Sequence, residues 1–104
     1  MVAVTDATFE KIVLGAERPV LVDFGAPWCH PCKAVDRVLA ELEAEYGERL
    51  VFAKVDIDAS PAHAARYGVL SIPTVILFDG GEVRETIVGS KPRAHFERLL
   101  ARLA

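Results

Sequence analysis

Two short apolar runs separated by a long amphipathic segment constrain the fold of this chain more than any other feature. Val20 to Phe24 and Leu50 to Ile57 each predict a strand that is buried on both faces of a sheet. The segment between them, Cys29 to Tyr46, changes to helical spacing and predicts an amphipathic helix that ends at Gly47. The apolar stripe of this helix comprises Val35, Val38, Leu39, Leu42 and Tyr46.

Two shorter helices are expected to accompany these strands. The first is capped by Thr5 or Asp6 and runs to about Leu14, because apolar residues recur there at helical spacing. The second begins at Ser60, a cap residue followed by a proline in the first turn, and stops at Gly68. Helices and strands therefore alternate along this part of the chain.

The C-terminal part of the chain predicts a hairpin and a final helix. Thr74 to Phe78 and Glu82 to Val88 carry β-branched residues on either side of the turn sequence Asp79-Gly80-Gly81. Ser90 is expected to cap the amphipathic helix that follows. Strands that alternate with crossover helices and end in a hairpin predict an α/β fold, with a central mixed sheet covered by helices on both faces.

Composition and charge indicate one soluble domain that spans residues 1–104. The chain has 104 residues, of which 52% are hydrophobic and 26% charged, and it is long enough to bury a core. A net charge of −3 does not favour nucleic acid or anionic lipid as a partner. Met1 to Lys11 lack the pattern of a signal peptide, and no apolar run has the length of a membrane span. We therefore expect a cytoplasmic protein.

Both cysteines of the chain lie in one short segment, Trp28-Cys29-His30-Pro31-Cys32-Lys33. Residues at i and i+3 share a helix face at a separation of roughly 5–6 Å, which is within the reach of a disulfide. Because so short a loop removes little entropy from the unfolded chain, the pair is expected to serve redox chemistry and not to staple the fold. Structural zinc usually takes four ligands and no second cysteine pair is present, so no metal site is expected.

The cysteine pair is expected at the start of a helix, at the edge of the sheet where α/β proteins bind ligands. This position predicts how the two thiols react. If Cys29 is the N-cap residue, the amide of Cys32 is free to donate to its sulfur, and the helix dipole adds positive potential. Pro31 is tolerated in the first turn, where its missing N–H has no intrahelical partner to lose. Cys29 is therefore expected to have a lowered pKa and to act as the nucleophile, and the shielded Cys32 to resolve the mixed disulfide.

Two further polar residues are candidates for a role in this chemistry. His30, as an imidazolium, would stabilise the Cys29 thiolate and raise the reduction potential, although it can equally be a solvated polar residue. Asp23 lies in an apolar strand, where burial is expected to raise its pKa and suit it to exchange a proton with Cys32. Lys54, on the other apolar strand, is its candidate partner. The alternatives are a purely structural Asp–Lys pair and a carboxylate that reaches the sheet edge.

Motifs along nearly the whole chain resemble the thioredoxin family. The resemblance implies a thioredoxin fold, with a mixed five-stranded sheet and four helices, and a general protein-disulfide reductase. It implies a monomer with disulfide-containing client proteins, recharged by a flavin-dependent thioredoxin reductase that uses NADPH, and no bound cofactor beside the redox-active disulfide. The motifs are Val22-Asp23-Phe24, Ala26-Pro27-Trp28-Cys29, Pro31-Cys32-Lys33, Lys54-Val55-Asp56, Tyr67-Gly68-Val69, Ser71-Ile72-Pro73-Thr74 and Gly89.

The same resemblance implies where substrates bind. Pro73 would follow a cis peptide bond and face the cysteine pair, and the backbone of Ile72 would pair with an extended substrate segment. Trp28, Ile72 and Gly89 would form an apolar docking surface around the nucleophile. Thr74, in the same motif as Pro73, is assigned to substrate binding with them.

Three positions depart from the family pattern. Family members commonly have glycine where His30 stands, tryptophan where Gly25 stands, and a helix-kinking proline at the position of Arg37. Two rival functions therefore remain: a more oxidising exchanger or isomerase tuned by His30, and a non-redox interaction module. The intact cysteine pair, together with Asp23 and Pro73, argues against the second.

The remaining ionisable residues are interpreted as surface groups. Arg93, Glu97 and Arg98 are expected to form a solvated face of the final helix. His63 and His95 lie among charged neighbours and are expected to be solvated or partly packed.

Overall fold

Five strands form one mixed sheet in the computed structural model, which describes residues 1–103. The sheet order is β1-β3-β2-β4-β5, with β1 and β2 parallel to β3, and β4 antiparallel to both β2 and β5. All six residues of β2, near the centre of the sheet, are buried. This arrangement confirms the predicted α/β fold with a mixed five-stranded sheet. The strands are Val2–Ala3 (β1), Val20–Gly25 (β2), Val51–Asp56 (β3), Thr74–Asp79 (β4) and Glu82–Val88 (β5).

Four helical segments cover the two faces of this sheet in residues 1–103. They are a π-helix at Glu10–Leu14 and three α-helices, His30–Tyr46 (α1), Ala62–Arg66 (α2) and Arg93–Ala101 (α3). Helices α1 and α3 pack on one face, and the π-helix and α2 pack on the other. None of the helices in residues 1–103 combines the length and the apolar composition that a membrane span requires.

Alternate residues of β2 point to opposite cores, as expected for a strand that is buried on both faces. Leu21 joins the core beneath α1 and α3, together with Phe52 of β3 and Phe96 of α3. Val22 and Phe24 join the core on the other face. Because side chains two apart share a face, Asp23 and Gly25 lie on the same side as Leu21, toward α1.

The first helix differs from the expected α-helix. The amide of Gly15 donates to the carbonyl of Glu10, five residues back, at 2.9 Å, which is the spacing of a π-helix. A turn precedes it, in which the carbonyl of Thr5 accepts the amides of Thr8 and Phe9. The widened helix leaves Phe9 and Val13 both buried in the core.

Three expected helix caps are wrong. Two of the side chains bond to residues that are distant in the sequence, and the third lies before the point where its helix begins. Asp6 does not cap the first helix; its carboxylate accepts the amide of Ala62 at 3.2 Å and so caps α2. The hydroxyl of Ser60 accepts the amide of Asp6 instead of capping α2 itself. Ser90 lies three residues before α3, whose N-cap is Pro92, without a side-chain hydrogen bond.

The predicted hairpin is confirmed, and the charged face of the final helix is partly or fully exposed as expected, with one contact to α1 that was not expected. Gly80 and Gly81 form the two-residue turn, both with positive φ (62° and 80°), as a type I′ turn requires. Arg93 at the start of α3 lies 3.0 Å from Glu41 and 3.0 Å from Glu45, both on α1. Arg93 therefore connects two helices on the same face of the sheet instead of being only solvated.

Candidate active site

The cysteine pair lies where β2 ends and α1 begins, as the spacing predicted. Cys29 is the N-cap residue of α1, and the amide of Cys32 donates to its sulfur at 3.2 Å. The two residues form a disulfide with a Cα–Cα distance of 5.3 Å. Both are almost completely buried, and Cys32 is the more buried of the two. The free amide and the helix N-terminus therefore face the Cys29 sulfur, where a thiolate would form.

Gly25, a departure from the family pattern, lies directly against Cys32. A Cβ at this position would stand 3.2 Å from the Cys32 sulfur and 3.3 Å from its Cβ. These distances are tighter than ordinary van der Waals contact, so the missing side chain of Gly25 accommodates the first turn of α1. Cys32 is thereby held against the strand that also carries Asp23.

One side of the disulfide presents an apolar surface. Trp28 is 69% exposed, and its indole N–H donates to the carboxylate of Asp58 at 2.6 Å. Leu70 is 97% exposed, the most exposed large apolar side chain among the described residues, and sequence analysis did not single it out. Ile72 packs against the cysteine pair itself. A groove on this side is lined by Trp28, Ile57, Val69, Leu70, Ser71 and Ile72.

The loop before β4 holds the remaining residues that were assigned to substrate binding. The Ile72–Pro73 peptide bond is cis, as the family resemblance predicted. Gly89, with φ of 96°, donates its amide to the carbonyl of Pro73 at 2.9 Å, so it lies beside the proline. Thr74 is buried, and its hydroxyl donates to the carbonyl of Ser71 at 2.6 Å. Thr74 therefore anchors this loop from below.

The other side of the disulfide carries basic residues. His30 is the first residue of α1 and is exposed. It lines a second groove with Pro31, Lys33 and Arg37, which follow it on α1. No group of three or more His, Cys, Asp or Glu side chains is placed to hold a metal ion in residues 1–103.

Asp23 is fully buried in the centre of β2. It lies on the same face of the strand as Gly25, which Cys32 contacts. Burial is the largest cause that raises its pKa, to about 9, and a hydrogen bond and the negative charge of Asp36 raise it further. The positive charge of Lys54 opposes this shift but does not outweigh it. The raised pKa favours the protonated form of Asp23 at neutral pH, and its direction is the one that burial in an apolar strand predicted.

Lys54 does not form an ion pair with Asp23, its candidate partner, but with a different carboxylate. The ammonium group of Lys54 forms its hydrogen bond and ion pair with Asp36 of α1. Burial alone would raise the pKa of Asp36, but the hydrogen bonds from Asp23 and Lys54 and the charge of Lys54 lower it. Sequence analysis missed Asp36, although its place four residues after Cys32 on a predicted helix puts both on one face.

Comparisons with known proteins agree with this geometry. The thioredoxin family model matches residues 1–102. The chain is 54% identical over 91 residues to a thioredoxin of Streptomyces clavuligerus, covering 88% of this chain and 84% of that protein. It is 53% identical over 102 residues to a thioredoxin of Mycolicibacterium smegmatis, covering 96% and 91%.

Other relatives are longer than this chain. It is 48% identical over 90 residues to a chloroplastic M-type thioredoxin of Brassica napus, and spans 51% of that protein and 86% of itself. It is 48% identical over 100 residues to a bifunctional thioredoxin reductase/thioredoxin of Mycobacterium leprae (strain TN), covering 96% of this chain and 22% of that protein. Because the family model and the bacterial relatives cover nearly all of it, the chain belongs to the thioredoxin family of thiol–disulfide oxidoreductases.

Proposed function

We propose that this protein reduces disulfide bonds of client proteins, with Cys29 as the nucleophile and Cys32 as the resolving thiol. The hydrogen bond from the Cys32 amide to the Cys29 sulfur carries this assignment, because it favours a thiolate at Cys29 specifically. The deeper burial of Cys32 suits the thiol that reacts second.

The proposed reaction transfers two electrons from the dithiol to the client. The Cys29 thiolate attacks one sulfur of the client disulfide, and the other client sulfur leaves as a thiolate. Cys32 then loses its proton and attacks the Cys29 sulfur, which closes the Cys29–Cys32 disulfide and releases the second client thiolate. The client is reduced, the cysteine pair is oxidised, and the released thiolates take up two protons.

Asp23 is proposed as the group that exchanges a proton with Cys32: its ionised form accepts the proton of the attacking thiol, and its protonated form, which the raised pKa favours, returns one when the pair is reduced again. Gly25, two residues along β2, contacts Cys32, so Asp23 lies on the strand face beneath the resolving thiol. A carboxyl group with a raised pKa exchanges protons near neutral pH more effectively than an ordinary aspartate.

Clients are proposed to dock on the apolar side of the pair. Trp28, Ile72 and the neighbouring Leu70 offer exposed or partly exposed apolar surface there. Pro73 and Gly89 keep the backbone of Ile72 beside the cysteines, where one extended client segment can pair with it.

The proposed source of electrons is a thioredoxin reductase that uses a flavin and NADPH. The Mycobacterium leprae relative supports this, since its name joins a thioredoxin reductase and a thioredoxin in one protein. We further propose that the 104 residues act as one monomeric domain. We place this domain in the cytoplasm, because thiols are kept reduced in that compartment.

The equilibrium reduction potential against glutathione tests the direction of electron flow. A value near about −270 mV would support a reductant, whereas a value toward about −180 mV would support the oxidising exchanger that His30 suggests. The exposed position of His30 in the first turn of α1 is the observation that keeps this second function under test. Trapping with Cys32→Ser is the companion experiment, because a non-redox interaction module would form no mixed disulfides with clients.

A further inference from the structure

Two structural periods bring Asp36 over Asp23. Asp36 follows Cys32 by one helical turn on α1, and Asp23 precedes Gly25 by one strand repeat on β2. Since Cys32 packs on Gly25, Asp36 on the helix is placed over Asp23 on the strand. The two carboxyl groups are close enough for each to shift the pKa of the other, that of Asp23 upward and that of Asp36 downward.

The polar atoms of this pair fit a shared proton. Both carboxyl oxygens of Asp23 and Oδ1 of Asp36 are buried, and within residues 1–103 no amide, hydroxyl or ammonium donor reaches them. Oδ2 of Asp36 accepts from Lys54. Carboxylate oxygens only accept, so two ionised groups would leave buried acceptors unpaired and facing a like charge. A proton on Asp23, donated to Oδ1 of Asp36, removes this conflict.

We propose that Asp36 is a positioning residue for the proton relay: it accepts the hydrogen bond of protonated Asp23 while Lys54 holds its other oxygen. The relay is then a chain of Lys54, Asp36 and Asp23, in which Asp36 raises the pH at which Asp23 gives up its proton beyond the effect of burial. This inference rests on the proposed role of Asp23 in exchanging a proton with Cys32.

The surroundings of Asp23 contain few other groups that could govern its titration. Asp36 acts on it from α1, and Lys54 lies opposite it on β3, in direct register. Cys32 lies one helical turn before Asp36, against Gly25. On its other side β4 places the apolar Val75 opposite it. The raised pKa of Asp23 and the lowered pKa of Asp36 both have the direction that a donor–acceptor pair requires.

The test is a carbon-13 NMR titration of the aspartate carboxyl carbons in the oxidised protein, in which the cysteines do not titrate. In the wild type, the Asp36 carbon should show a second inflection at the Asp23 midpoint. Asp36→Asn should lower that midpoint by at least about one pH unit, because the like charge is gone. Lys54→Met should raise it, because the cation that favours ionised Asp23 is removed.

Opposite shifts separate this role from a structural one, since a variant that merely loosens the packing would admit water and lower the midpoint in both cases. Glu41→Gln is the matched control: it also removes a carboxylate of α1 from an ion pair, the one with Arg93, and should leave the Asp23 midpoint in place. An Asp23 midpoint that Asp36→Asn leaves unchanged would overturn the inference. If Asp36→Asn does not fold, a wild-type Asp36 carbon without the second inflection overturns it equally.

The pH profile of disulfide reduction shows whether the role of Asp36 alone has failed or the proposed proton relay through Asp23 has failed as well. Asp36→Asn should move the Asp23-dependent limb of the profile to lower pH by the same amount as the NMR midpoint. If Asp23→Asn leaves the wild-type profile unchanged, the relay is refuted, and the role of Asp36 falls with it. If Asp23→Asn changes the profile but Asp36→Asn moves neither profile nor midpoint, only the role of Asp36 is refuted.

Discussion

Replacing Asp23 by asparagine should make the folded protein progressively more stable than the wild type as the pH rises. The pKa of Asp23 is raised from 3.8 to about 9 on folding. A group with a raised pKa contributes its full stability below its unfolded pKa, and that contribution is lost as the pH rises through the folded pKa. The loss therefore extends from about pH 4 to about pH 9.

The slope of this loss follows from one proton. Between about pH 5 and about pH 8, folded Asp23 holds a proton that the unfolded chain lacks, which lowers the free energy of unfolding by about 1.4 kcal/mol per pH unit. Over these three units the difference from Asp23→Asn should grow by about 4 kcal/mol. The lowered pKa of Asp36 contributes stability above its unfolded pKa, and this contribution is lost only as the pH falls below this window, so it does not alter the slope.

The measurement is urea unfolding of the oxidised wild type and Asp23→Asn at several pH values in this range. The oxidised state is used because free thiols would add their own pH dependence. Glu41→Gln, which removes an exposed carboxylate of α1, is the control and should follow the wild-type slope. Parallel lines for the wild type and Asp23→Asn would show that Asp23 is ionised in the folded protein, and would refute the argument from burial.

Three smaller predictions concern the surroundings of the disulfide and the packing of α3. Thr74→Val removes a buried hydroxyl that donates to Ser71 and should cost about 1–3 kcal/mol in urea unfolding; an unchanged midpoint would mean that this bond anchors nothing. Trp28→Ala should raise KM for a protein disulfide but not the rate with a small aromatic disulfide; equal effects would exclude docking. Arg93→Met should lower the melting temperature at low salt and little at high salt, where a persistent loss would indicate packing and not ion pairing.

Sequence analysis predicted the helices and strands whose own residues show an apolar spacing or a turn sequence. Strand β2 and helix α1 were predicted from their own apolar spacing, and the hairpin from its glycine turn. Strand β1 has only two residues, too few to show a period, and only the family resemblance implied a fifth strand. The cap of α2 was missed for a similar reason, because Asp6 lies 56 residues before Ala62.

The same distinction explains why Lys54 was assigned to the wrong carboxylate. Lys54 lies directly opposite Asp23 in the parallel register of β2 and β3, as the two apolar runs suggested. Burying its ammonium beside a fully buried carboxylate would require both ions to lose their hydration. Asp36, on the helix that covers the strands, is partly exposed, so Lys54 can form an ion pair there while 40% of its side chain stays in solvent. Asp23 is thereby left without an ion pair of its own to offset its burial, and burial keeps its pKa raised.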